Sequence, residues 1–296
     1  MLQVITRVPA KINPVLSVGP ARRDGYHDLA TVFHAVSLYD EVRARAGDDL
    51  TVTMSGPYAG GVPSDATNLA TRAARALAKR AGVPAKARVD VHKAIPVAAG
   101  LAGGSADAAG VLRACDALWE LGASDTELAT VAATLGSDVP FALAGGTAVG
   151  TGRGERLRGI TVGTTLHWVL AVASRGLSTP DVYRRLDELR SGVSVPEPAV
   201  GEAILTALAG GDPGAVAASL RNDMQEAAVA LRPELADTLR AGREAGALGG
   251  IVSGSGPTCA FLARDGEHSG ELAARLDASG TCAQVLQVTG PARTGD

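Results

Sequence analysis

Lys11 and Asn13 are polar positions two residues apart in AKINPVL, an otherwise apolar run that reads as a β-strand, so both point to one side of it. A lysine among buried apolar residues needs an anionic or dipolar partner, or it gives up its charge. The plainer alternative is an edge strand whose lysine faces water. Asp138, in LGSDVPF two residues before Pro140, is a carboxylate in a turn beside apolar residues; as plain structure it would cap a short helix. The third candidate is a loop. Pro96, Val97, Ala98, Ala99 and Gly100 lead into Leu101, Ala102, Gly103, Gly104, Ser105 and Ala106, and from there the chain has helical spacing. A flexible loop directly before a helix N-terminus presents free backbone N–H groups and the positive end of the helix dipole, which suits an anion. Glycines in such a place also let backbone pack closely on a sheet, and on the loop alone both readings stand.

The loop is neither GxxxxGK followed by Ser or Thr nor GxGxxG, which sets aside two common nucleotide-binding designs. A second glycine cluster, VSGSGPTCAF from Val252 to Phe261, lies between apolar segments. Gly254 and Gly256 would let N–H groups converge on an anion, or would join two strands tightly, and the tight connection is the simpler expectation.

The elements that must position these residues divide the chain in two. The first half reads as short β-branched strands, LQVITRV, KINPVLSV, LATVFHAVSL, EVRARA and LTVTM, separated by Gly, Asp and Pro turns. A helix is predicted over 68–81, with Asn68 as its cap and Gly82 as its stop. ARVDVHKAI is a strand. In the helix after the loop, Ala108, Val111, Leu112, Cys115, Leu118 and Trp119 share one face, which predicts burial of that face, and Ser105 is a candidate cap. A further helix spans about Asp125 to Leu135. The polar, glycine-bearing RGITVGTT, 158–165, is the expected domain boundary, giving domains at 1–157 and 166–288 and a disordered tail over 289–296. The second half runs strand, helices, strand, turn, strand, helix, strand. This is an α+β order compatible with a split βαβ, ferredoxin-like layer.

Composition narrows the chemistry. A chain that is 46% hydrophobic and 20% charged is an ordinary globular protein, and Leu166 to Ala173 is a strand's length, well short of the roughly 18 apolar residues a membrane helix needs. The net charge of −3 with interspersed signs provides no basic stripe for nucleic acid, so small molecules are the expected partners. The N-terminal MLQVITRVPAKIN has no signal-peptide pattern, and a cytoplasmic location is expected. Cys115, Cys259 and Cys282 are far apart with no CxxC, which points to buried or half-buried thiols instead of a disulfide framework or zinc site. Only four of the 28 basic residues are lysines, Lys11, Lys79, Lys86 and Lys93, and Lys11 and Lys93 stand beside the segments above.

PAKIN, RRDGYH, IPVAAGLAGGSADAA, LGSDVPF and SGSGPT, in this order from Val4 to about Val288, together resemble the GHMP small-molecule kinases. The resemblance implies a two-domain α+β fold: an N-terminal, ribosomal S5 domain 2-like ATP-binding domain and a C-terminal ferredoxin-like domain. It implies that the ATP triphosphate lies on the loop from Pro96 to Ala106, delivered as MgATP, and that Lys11 and Asp138 are the catalytic pair. The chain looks most like the branch whose substrate is a CDP-linked methylerythritol, phosphorylated on its 2-hydroxyl. Asn13, Tyr26, His27 and Lys93 match positions lining the cytidine diphosphate site there, and Tyr183 in STPDVY offers a second stacking ring. A monomer or homodimer is expected.

The chain departs from the family pattern at Ala98, Ala102 and Ala106, where glycine or a second serine is common. It departs again at Pro14, which removes a backbone donor from a strand and predicts an edge or a bulge. The alternatives are another GHMP kinase acting on homoserine, a sugar or mevalonate, or a non-catalytic GHMP-fold sensor of a metabolite. A dinucleotide oxidoreductase lacks its fingerprint and acidic ribose partner.

Overall fold

The computed structural model describes residues 3–63 and 65–295. The expected short strands of the first half are two long ones, β1 (Gln3–Ala21) and β2 (His27–Arg45), paired antiparallel along their lengths. The prolines and polar residues read as breaks are absorbed by register shifts. At one of them Ile12 faces His34 while Val15 faces Val32, so Asn13 and Pro14 together stand opposite Phe33. That is the bulge expected at Pro14, and it keeps the strand intact because an unpaired residue does not miss its N–H donor.

β2 is shared by two neighbours. Its C-terminal half pairs with β4 (Ala87–His92), which carries the parallel edge strand β3 (Leu50–Ser55). Its N-terminal half pairs with β5 (Thr147–Gly152), which continues to β6 (Arg156–Gly159). Against this sheet pack α1 (Leu69–Ala81), α2 (Gly103–Leu118), α3 (Asp125–Leu135) and α4 (Val139–Ala144). The α1 ends follow the sequence reading: Asn68 Oδ1 accepts from the N–H groups of Ala70 and Thr71, and Gly82 closes the helix with φ +69°. Ser124 and Glu127 form a reciprocal capping box on α3.

The sequence predicts one buried face for α2, but its first thirteen residues are buried almost all round, because sheet and helices enclose it on several sides. A Cβ on Gly110 would come within 2.5 Å of Val42 Cγ2, so only glycine lets α2 approach β2 so closely.

The chain leaves this sheet after Gly159 and begins a second one at β7 (Leu166–Val172). α5 (Thr179–Leu189), α6 (Glu202–Gly210), α7 (Pro213–Ala218), β8 (Arg221–Asn222), α8 (Gln225–Leu231) and α9 (Glu234–Glu244) follow, then β9 (Gly249–Val252), β10 (Cys259–Ala263), α10 (Gly266–Ser279) and β11 (Gln284–Gly290). The second sheet is antiparallel in the order β11-β7-β10-β9, the interleaved order of a ferredoxin-like layer. β8 belongs to the first sheet, where it pairs parallel to β1 at Val15 and Leu16. Asp223, just after it, accepts from Val18 N at 3.0 Å and from Arg190 Nη2 at 3.0 Å, tying α5 to the same seam.

The expected disordered tail is corrected over 289–295. Thr289 and Gly290 complete β11, Ala292 N donates to Ala35 O at 2.9 Å, Gly146 N donates to Ala292 O, and Thr294 Oγ1 donates to Ala142 O. Backbone pairing orders a segment whose glycines and polar side chains suggest none; Asp296 lies outside the described residues. Cys115 and Cys259 are buried and Cys282 half-buried, all unpaired. No helix among the described residues is long and apolar enough to cross a membrane.

Candidate active site

β1, β2, the 96–106 loop, α5 and the β9–β10 turn enclose a cleft of about 930 Å³. Lys11 lies at its floor, only 6% exposed, paired to β2 opposite Ala35 on one side and covered on the other by the loop, whose Leu101 O accepts from Lys11 N, so it is not an edge-strand lysine facing water. Its ammonium donates to Asn13 Oδ1 at 2.8 Å and to Gly100 O at 3.1 Å, and stands 3.5 Å from Asp138 Oδ2. The Asn13 side chain is oriented by Thr31. The Thr31 hydroxyl donates to Val15 O and therefore accepts from Asn13 Nδ2, which leaves Oδ1 for the lysine.

Asp138 occupies the position preceding α4, yet its side chain caps no helix N–H. It faces Lys11 instead and lines the cleft, so the capping alternative does not hold.

The loop wraps this pair. Pro96, Ala98, Ala99, Gly100, Ala102, Gly103, Gly104 and Ser105 line the cleft. Leu101 and Ala106 are buried away from it, and Val97 packs outside it, near Gly61. The loop carbonyls are engaged: Ala98 O by Leu177 N, Ala99 O by Thr258 N, Gly100 O by Lys11 and Ser253, and Leu101 O by Lys11 N. α2 begins without a side-chain cap, because the residue before it is Ala102, not Ser105 as expected; Ser105 sits inside the first turn. The N–H groups of that turn have no partner within the helix, and Gly103, Gly104 and Ser105 border the cleft. Ala98 and Ala102 have φ of +52° and +58°, a conformation costing a residue with a Cβ roughly 1–2 kcal/mol. These are two of the positions where the family pattern favours glycine.

The second glycine cluster is a tight connection, as its simpler reading holds. Gly256 N donates to Ser253 O, Ser253 N to Thr258 O and Thr258 N to Ala99 O, so these N–H groups do not form an open nest. The turn nonetheless forms a wall of the cleft. A Cβ on Gly100 would lie 2.3 Å from Ser253 O, and one on Gly254 would lie 3.2 Å from both Lys11 Nζ and Asn13 Oδ1.

Three rings, Tyr26, His27 and Tyr183, also line the cleft. His27 and Tyr183 stack with centroids 5.0 Å apart, and His27 Nε2 pairs with Asp187 Oδ1 at 2.8 Å. Burial, with Asp138 and Asp187 adding to it, pushes the Tyr183 phenol well above its ordinary value, so it stays neutral. Tyr26 is 54% exposed, with the Arg153 guanidinium 5.3 Å over its ring.

Lys93 is the correction. It is fully buried and does not line the cleft; its ammonium is held by Asp40 and Asp107, with Gly103 O at 3.3 Å. Asp40 Oδ1 accepts from the consecutive N–H groups of Ala94 and Ile95. This cluster therefore grips both ends of the loop from beneath. Sequence reasoning missed both acids, although a lone aspartate between alanines in GSADAAGV was a usable signal.

Burial pushes the Asp107 carboxyl up to about 7, Asp40 adding to the rise and Lys93 opposing it. A carboxyl whose folded pKa exceeds its unfolded value favours the fold while protonated, and this stabilisation is lost as pH rises from about 4 through about 7. Asp107→Asn is expected to flatten the decline of unfolding free energy over that window, checked by urea titrations at several pH values. An unchanged slope would place the proton elsewhere. Arg153 was missed as well, because an arginine between two glycines reads as an ordinary surface turn.

Comparison with known proteins adds to this geometry. The models of the GHMP kinase N-terminal and C-terminal domains match residues 68–146 and 204–282. The chain is 58% identical to the 4-diphosphocytidyl-2-C-methyl-D-erythritol kinase of Streptomyces coelicolor, with 98% of each chain covered. It is 54% identical to the protein of that name from Mycolicibacterium smegmatis, over 97% of this chain and 90% of the relative. A crystal structure of 4-(cytidine 5'-diphospho)-2C-methyl-D-erythritol kinase superposes with a TM-score of 0.76 at 35% identity, covering 100% of both chains. Homoserine kinase from Cytophaga hutchinsonii shares the fold, with a TM-score of 0.75 at 17% identity over 99% of this chain and 96% of its own. With both domains matched in order, and near relatives aligned along almost its whole length, the chain belongs to the GHMP kinases.

Proposed function

We infer that the chain transfers the terminal phosphoryl group of ATP to the 2-hydroxyl of 4-diphosphocytidyl-2-C-methyl-D-erythritol. The observation that carries the inference is the Lys11–Asp138 pair, 3.5 Å apart in a cleft bordered by the uncapped N-terminus of α2, in a chain 58% identical to a kinase named for that substrate. Phosphoryl transfer asks little covalent work of a protein; in-line positioning and neutralisation of charge do most of it. In this reading the loop and the first turn of α2 receive the triphosphate. Asp138 orients the acceptor hydroxyl and accepts its proton, while Lys11, 3.5 Å from that carboxylate, faces the charge that develops on the phosphate. The rings of Tyr26, His27 and Tyr183 receive the cytosine, with Asn13 serving through the orientation it gives Lys11.

Magnesium enters as MgATP. Asp138, which lines the cleft beside the loop, is the carboxylate that would hold the ion. Bound there, the ion neutralises charge on the phosphates.

The test is coupled ADP release with a panel of alcohols: the CDP-linked methylerythritol compound, homoserine, mevalonate and a simple sugar. Turnover with the CDP-linked alcohol far above the others is expected. Preference for another alcohol would overturn the substrate, and no ADP release with any would favour a non-catalytic role.

A further inference from the structure

We propose that Arg153 anchors the diphosphate of the nucleotide-linked substrate and is thereby a residue by which this cleft selects a nucleoside-diphosphate-linked alcohol over a bare one. The proposal rests on the substrate reading above and adds to it a residue that the family resemblance did not supply.

Charge pairing around the cleft leads to it. A diphosphate is strongly anionic, and taking one from water into a half-enclosed cleft requires a cation or convergent donors. Four side chains that can be cationic line the cleft, and three are matched by acids: Lys11 by Asp138, His27 by Asp187 and Arg184 by Asp181. Glu188, the remaining acid of the lining, pairs with Arg185. Lys93 is buried beneath the loop and wholly engaged. Among the described residues Arg153 is left as the cleft cation with no carboxylate partner.

Its own neighbourhood keeps it so. Arg153 sits at the tip of the β5–β6 hairpin between Gly152 and Gly154, both at positive φ. The adjacent Glu155 would be its natural partner, but that carboxylate accepts from the Arg153 backbone N–H at 2.7 Å. The guanidinium rests over Tyr26, a cation–π contact that holds it in place and leaves its N–H groups without a competing anion.

Position assigns it to the substrate and not to ATP. The hairpin tip pairs with the start of β2, Gly152 opposite Leu29, which puts Arg153 next to Tyr26 and the start of β2 that carries His27. The glycine loop is packed on the β9–β10 turn instead.

The experiment compares cytidine, CMP and CDP binding by calorimetry in the full-length protein and in Arg153→Gln and Arg153→Lys, with the ATP KM measured alongside. Arg153→Gln is expected to weaken CDP about ten- to a hundredfold, as loss of a charge-assisted contact does, while leaving cytidine and the ATP KM unchanged. Arg153→Lys should restore part of the loss, since the charge remains but the planar fork does not. An equal loss for cytidine and CDP would overturn the proposal, assigning Arg153 to support of Tyr26. A loss confined to ATP would overturn it in favour of the other nucleotide. If the unaltered protein binds neither cytidine nor CDP, the substrate reading fails first and the proposal falls with it.

Discussion

Asp138→Asn is expected to lower kcat by about a hundredfold or more while the ATP KM stays within about twofold. Asparagine keeps the shape of the side chain and can still bond the acceptor hydroxyl, but it cannot take the proton at neutral pH. The rest of the constellation has reason to persist. Lys11 retains Asn13 Oδ1 at 2.8 Å and Gly100 O at 3.1 Å, so its ammonium is not left unpaired when the carboxylate goes. The glycine loop is fixed by carbonyl contacts that do not involve Asp138. A fall in kcat with an unchanged melting temperature and ATP KM would be the signature of the proposed role. A kcat within about threefold of normal would remove Asp138 from the chemistry, since positioned acid–base groups contribute typically 10²–10⁴.

Lys93→Met is expected to destabilise the fold by about 3–5 kcal/mol, the usual result of deleting one partner from a buried ionic cluster. Methionine fills most of the volume and leaves Asp40 and Asp107 facing each other with no cation. Asp40 cannot turn away, because two backbone N–H groups hold its other oxygen. Urea denaturation reads the loss directly. Asp107→Asn in the same chain should recover part of it, because the amide donates to Asp40 at every pH whereas the Asp107 carboxyl does so only while protonated. A stability change under about 1 kcal/mol would contradict the buried geometry, as surface ion pairs give values in that range. The folded fraction of Lys93→Met should keep its affinity for CDP, in contrast to a lysine that touches the nucleotide.

The contrast between these two residues indicates what was legible in the sequence. Helix ends marked by a capping residue were, because their signals are local: Asn68 with Gly82, and the break before Asp125, follow from residues within a turn of the backbone they cap, whereas α2, which has no side-chain cap, was misread at Ser105. The loop leading into α2 was legible for the same reason, and so was the ferredoxin-like second sheet, through its element order. Strand lengths were not, since Pro9 falls in the gap read between LQVITRV and KINPVLSV while a long-range partner strand carries β1 through it with a register shift; the bulge at Pro14, a local signal, was legible. Lys93 was misplaced because its identity depends on Asp40, 53 residues away, and chain distance carries no sign of that pairing. Arg153 was missed because its meaning comes from acids that are occupied elsewhere, which only a three-dimensional charge inventory reveals. The tail over 289–295 was missed because its partners, mostly backbone atoms of β1, β2 and α4, are far away in the chain and leave no local side-chain pattern.

The return of β8 to the first sheet also limits how the protein can be cut or moved. Because Arg221 and Asn222 complete hydrogen bonding along β1 opposite Val15 and Leu16, a truncation after residue 165 would strip a rung from the sheet that carries Lys11. Neither half is therefore a natural unit for expression alone. Any opening of the cleft must flex about this stitched edge, like a book whose spine has been sewn through one cover.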